Sequence, residues 1–429
     1  MAGTNLYKTF SSSTNNKTCT LSVWVKRSGL NDRQAIASQT VDGSNETFIW
    51  FDTNDELFLK ESGEATYEKR TNRKFRDTSA WYHIVMAIDT TQSTASDRVK
   101  LYINGVQETS WANSTDPALN DDTRWNSTTQ FNIGRMNYGS EYFNGSMSHL
   151  HWIDGTAYDA SAFGSTDSTT GEWKINTSPS VTYGTNGFFI LKDGNNLSGA
   201  TVADQSGNSN NFQVGNGTLT KTEDCPSNVF ATWNSLIKTP HQLVYSNGNT
   251  TTASGGNSWY STQSTLGVTS GKWYWECKGL GADSMIGVAS PTIDMNQSLS
   301  ISQTGTTFFY NQDGGEMRKD ASNTTADYGT LSTSDILGIA FDMDNKTITY
   351  YKNGVAFITN YAISTAITDT AMLSMNMYGG SNVINTNFGN GYFGTTAVSS
   401  AGTNASGNGI FEYDVPTGYT ALSTKGLNL

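Results

Sequence analysis

Two of the four histidines, His149 and His151, stand two residues apart in a stretch patterned as a strand. Residues at i and i+2 of a strand share a face, so this pair has the spacing of a metal chelate. Met147 and Ile153 fall on the same face, so the competing reading is a pair of interior imidazoles. No third ligand suggests itself, and no metal centre is assigned. Paired acids are the second arrangement that could do chemistry. Cleavage of a glycosidic bond needs two carboxylates at a fixed separation, usually projecting to one side of one strand. Glu61 with Glu64, and Asp52 with Asp55, are each three apart and would face opposite sides, so they read as solvated turn acids. A Gly-x-Ser-x-Gly elbow is missing. The glycines after Ser254 lack the lysine and the strand–helix context of a phosphate loop. No catalytic residue is assigned, and the chain reads as a non-enzyme.

The net charge of −12 argues against nucleic acid, whose phosphates call for clustered lysine and arginine. The densest basic run is Lys69, Arg70, Arg73, Lys74 and Arg76, either an anion site or a solvated strand edge. Cys19, Cys225 and Cys277 are an odd number without metal spacing, which fits assembly in a reducing cytoplasm. The first residues lack the charged and apolar regions of a secretory signal, and no run approaches the ~18 apolar residues of a membrane span. A soluble protein without membrane insertion is expected.

The elements that would carry these side chains are strands. Gly, Ser, Thr and Asn are plentiful, aromatics reach 12% and charged residues only 15%, a balance suited to an all-β chain with polar turns. From Thr18 to Lys26 the pattern alternates, with Cys19, Leu21, Val23 and Val25 on one side and Thr20, Ser22, Trp24 and Lys26 on the other. Ile336 to Phe341, an acidic turn, Thr347 to Tyr351 and then Asn353-Gly354 read as strand, turn, strand and type I′ hairpin. The unit recurs as Ala87 to Asp89, a longer loop, Val99 to Ile103 and Asn104-Gly105. Two copies half a chain apart predict two β-sandwiches in tandem. The boundaries expected are 1–178 and 239–396 for the sandwiches, 179–238 for an ordered β-rich connector, and 397–429 for a tail packed on the second sandwich. One short helix is expected over Asn228 to Lys238.

TLSVWVKRS, WYHIVMAID, VKLYINGV, FNIGR and YFNGSMSHLHWIDGTAYDASAFG resemble a laminin-G-like, concanavalin-A-like jelly roll. The variety they resemble is that of structural proteins of tailed bacteriophages, marine ones especially; STDSTTGEWKI, DQSGNSNNF and TEDCPSNVFATWN extend the likeness. Residues 240 to 395 resemble a SPRY domain. Gly271 to Glu276 matches its opening strand, Ile286 to Ala289 the next, Asp335 to Asp342 with Ile348 to Val355 the central hairpin, and Asn387-Phe388-Gly389 with Tyr392-Phe393 the closing strand.

The resemblance implies an all-β fold of two concanavalin-A-like sandwiches in a virion protein assembled in the host cytoplasm. Its partners would be other virion proteins, copies of itself, and a host surface polysaccharide or protein. A tail fibre or receptor-binding appendage is the first expectation. The first sandwich starts almost at Thr18 and no heptads appear, so a capsid-decorating or head-fibre protein is the alternative; a host-glycan depolymerase is the third. SPRY-type sandwiches bind through loops at one end, which makes Tyr310, Asn311, Asp313, Tyr328, Asn376 and Tyr378 the candidate ligand contacts, the aromatics to stack and the amides and acid to hydrogen-bond. Tyr310 and Tyr378 could equally cap the sandwich. No cofactor is assigned; calcium is the one ion the resemblance allows, at Asp52, Asn54 and Asp55 or at Asn120 to Asp122.

Overall fold

The computed structural model describes residues 3–192, 201–237, 243–295, 303–312, 314–323, 326–379 and 382–428. The fold is all-β, as expected: among the described residues the helical elements are three single 3-10 turns, and every other element is a strand. The chain divides into two compact units, residues 1–221 and 222–429. The division falls inside the stretch expected to be a connector.

In the first unit a six-stranded sheet packs against a nine-stranded one. The six-stranded sheet runs Phe188–Ile190, Gly145–Asp154, Thr18–Arg27, Trp81–Asp89, Val99–Ile103, Val106–Gln107. The nine-stranded sheet has Gln34–Ser38, Thr47–Phe51, Glu56–Glu61 and Tyr67–Lys74 at its centre. Leu21, Val23, Ile49, Phe51, Leu57, Ile84, Leu101, Trp125 and Trp152 fill the space between them. The period-2 pattern of Thr18 to Lys26 placed Leu21, Val23 and Val25 correctly, yet Thr20, Ser22, Trp24 and Lys26 are buried as well. Residues that follow the sandwich fold back over that outer face. Tyr158, Phe163, Trp173 and Tyr183 cover Val85 and Ile153, and the Thr20 hydroxyl donates to the Thr156 carbonyl at 2.8 Å.

The second unit repeats the plan. One sheet holds Lys272–Lys278, Ile336–Asp342, Thr347–Lys352 and Val355–Ala362; the other holds Trp259–Val268, Ala371–Tyr378, Ser284–Ala289, Thr306–Tyr310 and Glu316–Lys319. Trp233, Trp275, Ile286, Phe309, Phe341, Tyr350 and Phe388 form the core. The chain after residue 396 returns across the first sheet, where Thr420–Ala421 pairs in parallel with Trp273 and Tyr274, and Phe411 and Val415 pack on Tyr274.

The hairpin read from Asn-Gly is present in both units. Asn104 and Asn353 have φ of 47° and 49°, and Gly105 and Gly354 both have φ of 81°, the two left-handed positions of a type I′ turn. Over each glycine lies a ring from the returning segment. A Cβ on Gly105 would stand 2.3 Å from Trp173, and one on Gly354 2.7 Å from Tyr413.

The expected helix did not form over the described part of its range; Lys238 lies outside the described residues. Phe230, Ala231 and Trp233 alternate instead between the outer cluster on Tyr274 and the inner core. Their backbone is spent on extended pairing, Ala231 N–H to Leu422 and Trp233 N–H to Asn249. Alternating burial needs the two-residue period of a strand, which overrides helix propensity here.

Candidate functional site

The six candidate contacts of the second unit separate into three groups. Tyr310 and Asn376 sit directly across from Met285 on its two neighbouring strands, so register puts all three side chains on one face of the sheet. Tyr378 pairs with Trp259 at the end of that face. The Trp259 ring lies 5.3 Å from Tyr378 and 6.3 Å from Tyr310, and the Arg318 guanidinium lies 4.0 Å from the Tyr310 ring. The Tyr310 hydroxyl donates to Asp283 Oδ1 at 2.6 Å. Tyr310 is 3% exposed and Asn376 fully buried, so they form the foundation of the group; Tyr378, 38% exposed, is its open surface. A large, rigid aromatic with one face in solvent and its back on a second ring is a good contact for a protein or a sugar.

Asn311 is corrected. It is 2% exposed and works as an internal staple, its amide donating to the carbonyls of Leu280, Gly281 and Leu331 and its Oδ1 accepting the Leu331 N–H at 2.7 Å. A side chain with these four bonds inside the fold has nothing to offer a ligand. Asn311 follows the end of the Thr306–Tyr310 strand, where its side chain turns inward to these backbone groups. Tyr328 is half-buried, its ring packed against the core and its N–H donating to the Gly315 carbonyl. Asp313 lies outside the described residues. Trp259, Arg318 and Asp283 were missed from the sequence. The available signal was alternation: Trp259 opens a strand and had no reason to be read as a loop residue.

In the first unit the acids read as solvated are mostly buried. Asp52 is 5% exposed and Asp55 fully buried. Asp55 binds Arg27 at 3.0 Å and Arg76 at 3.0 Å and accepts the Asn31 N–H; Asp52 binds Arg33 at 3.2 Å and Arg70 at 2.6 Å. Burial pushes both carboxyls up, but these donors outweigh it and hold them below the usual range. The first calcium set therefore has its two acids already neutralised by arginine; Asn54 is exposed. In the second set, Asp121 caps the Ala118 N–H and Asp122 stands 3.8 Å from Lys17. Glu61, 1% exposed, accepts the Arg124 N–H at 2.7 Å, and burial pushes its carboxyl up to about 8. Only Glu64 of the four is solvated.

Each cation of the basic run is paired with a carboxylate; Lys69 is buried and Arg70 half-buried, while Arg73, Lys74 and Arg76 lie at a solvated strand end. Lys69 pairs with Asp116, Arg70 with Asp52, Arg73 with Glu108, Lys74 with Glu56 and Arg76 with Asp55. His149 sits in a bulge with φ of 47°, and its ring meets Phe189 at 6.0 Å; His151 stacks on the same ring at 4.0 Å and bonds Tyr183 at 2.9 Å. Burial holds His151 well below its ordinary range. Among the described residues no group of three or more His, Cys, Asp or Glu could hold a metal ion; His241 lies outside them. The three thiols are free, and burial pushes that of Cys277 up to about 12.

Residues 2–160 match the family model of the concanavalin A-like lectin/glucanases superfamily, and residues 272–390 match that of the SPRY domain. The crystal structure of the SPRY domain of human HERC1 aligns at 15% identity and a TM-score of 0.29, over 34% of this chain and 91% of that one. The TRIM65 PSpry domain aligns at 11% and 0.32, over 37% and 88%. A search of the curated proteins found none that matches. The chain thus carries a concanavalin A-like laminin-G-type domain followed by a SPRY domain.

Proposed function

We propose that this chain is a non-enzymatic recognition protein of a tailed-phage virion, a tail fibre or receptor-binding appendage that contacts host surface glycan or protein through its SPRY domain. The observation that carries the recognition role is the Tyr378 ring, 38% exposed and backed by Trp259 at 5.3 Å, at the end of a sheet face stiffened by Tyr310, Asp283 and Arg318. Pre-organised aromatic surface binds at low entropic cost. The non-catalytic reading is supported by the state of the acids, since Asp52 and Asp55 are held by arginines and Glu61 is sealed in the core. The virion assignment is supported by the phrases from Thr20 to Gly164 that resemble phage structural proteins.

The test is quantitative mass spectrometry of purified virions against the major capsid protein. A ratio near that of portal or tail proteins supports an appendage. A ratio approaching one per capsid subunit replaces it with capsid decoration, and absence from the particle overturns the virion role.

A further inference from the structure

An open cleft of about 870 Å³ lies between the start of the Lys272–Lys278 strand and the returning C-terminal segment. Trp273 and Tyr419 supply its rings, Lys272 and Asp344 its charges, and Thr269 and Ser406 hydroxyls. Gly271, Gly418 and Gly426 also line it. Gly271 and Gly418 take left-handed φ of 86° and 85°, and a Cβ on Gly426 would stand 2.2 Å from the Ala421 carbonyl oxygen, so each position calls for glycine. The cleft is not another view of the Tyr378 group. Lys272 opens its strand and Lys278 closes it, and the chain then runs through Gly279 to Asp283, which holds Tyr310. The two places are at opposite ends of the sandwich.

Its charges are balanced. Lys272 Nζ lies 3.2 Å from Asp342 and 5.7 Å from the Tyr419 ring centre, and Asp344 accepts the Gly271 N–H at 2.8 Å. Asp342 is buried and already paired with Lys272, so the cleft's own charges are Lys272 and Asp344, one of each sign, and neither sign of ligand is favoured. A purely apolar ligand would strip water from the hydroxyls and the lysine without replacing their bonds. What fits is a neutral ligand with C–H faces for Tyr419 and hydroxyls for Lys272, Asp344, Thr269 and Ser406. The volume is within the few hundred to ~1,000 Å³ of small-ligand sites. We propose that this cleft is a second binding site, for a short neutral oligosaccharide. In taking the ligand to be a glycan it rests on the recognition reading above.

The experiment titrates maltotriose, cellotriose and tri-N-acetylchitotriose into the full chain, read by saturation-transfer NMR and calorimetry. Tyr419→Ala removes the stacking ring, Thr269→Trp fills the cleft from an exposed position, Tyr378→Ala reads the recognition group at the other end, and exposed Val106→Ala in the first unit serves as the control. Thermal melts confirm that each variant folds. The expected result is binding of at least one sugar that falls tenfold or more in both cleft variants and is unchanged in Val106→Ala. Binding lost in Tyr378→Ala but kept in both cleft variants overturns the cleft and leaves the recognition reading standing. Silence from all three sugars overturns the cleft, while adsorption of the chain to host cells continues to decide the recognition reading separately.

Discussion

Trp173 Nε1 donates to His83 Nδ1 at 2.9 Å, with the two rings stacked at 17°. An indole nitrogen only donates, so Nδ1 is the acceptor and the proton sits on Nε2, which donates to Ser22 Oγ at 2.9 Å. Trp24 stacks on the other side at 4.8 Å. Enclosed this way, His83 is kept neutral, and burial pushes its pKa down to about 3. The unfolded chain takes up a proton near 6.5 that the folded one refuses. The contribution of His83 is therefore present above pH 6.5 and lost as pH falls toward 3. Denaturant titrations of the full chain across this range should show that slope, and His83→Gln should flatten it.

Glu276 predicts the opposite slope in the second unit. Its carboxylate accepts the N–H groups of Glu412 and Tyr413, both at 2.9 Å, and the Tyr274 hydroxyl at 3.2 Å. Burial nevertheless pushes it up to about 7. A raised folded-state pKa gives stability that is complete below the unfolded value near 4.5 and is lost as pH rises to 7. Glu276→Gln should remove this dependence and, by replacing one acceptor with a donor, speed hydrogen exchange at the Glu412 and Tyr413 amides. Unchanged exchange there would show that the carboxylate does not hold the returning segment.

Arg27 and Asp55 are both fully buried, and the guanidinium also lies 4.4 Å from the Phe51 ring. Arg27→Met leaves buried Asp55 with Arg76 as its remaining cation, so it should cost about 3 kcal/mol, the low end for a broken buried pair. Arg27→Met with Asp55→Asn should cost less than the sum of the single changes. Additivity in that cycle would mean the pair is not coupled.

Gly354→Ala places a methyl at positive φ and against Tyr413, and Gly105→Ala does the same against Trp173. Each should destabilise its own unit by about 1–3 kcal/mol, read from the denaturation midpoint. A loss confined to the half carrying the change is expected, because each hairpin is covered by its own returning segment.

Tyr378→Ala should lower adsorption of the labelled chain to host cells by about 1–3 kcal/mol of binding free energy while leaving its melting temperature within a degree or two. Asn311→Ala should do the reverse, since its four bonds are internal: unstable protein, with the Tyr378 surface intact in whatever remains folded.

The strands, the two-unit plan and both Asn-Gly hairpins were legible because period-2 alternation and turn chemistry are local. What escaped was burial imposed from a distance. Trp24 and Ser22 look like a solvent face until the residues around Trp173 return over them. Asp52 and Asp55 look like turn acids until Arg27, Arg33, Arg70 and Arg76 converge from other strands. Spacing along one strand cannot report either event. Asn311 was misread because its partners, the Leu280, Gly281 and Leu331 backbone groups, come from distant segments that its own neighbours in sequence do not announce. Tyr378 could be named as a candidate from the sequence, but the ring packed against it, Trp259, is more than a hundred residues earlier, and only strand pairing joins them.

Trp173 and Tyr413 are each made dozens of residues after the hairpin glycine they cover. During synthesis both hairpins therefore emerge bare, and each sandwich is closed only when its last segment leaves the ribosome. A nascent chain that stops short of Tyr413 would present Tyr274 and the open Gly354 turn as an unfinished surface, so the second sandwich is covered only once the segment around Tyr413 has been added.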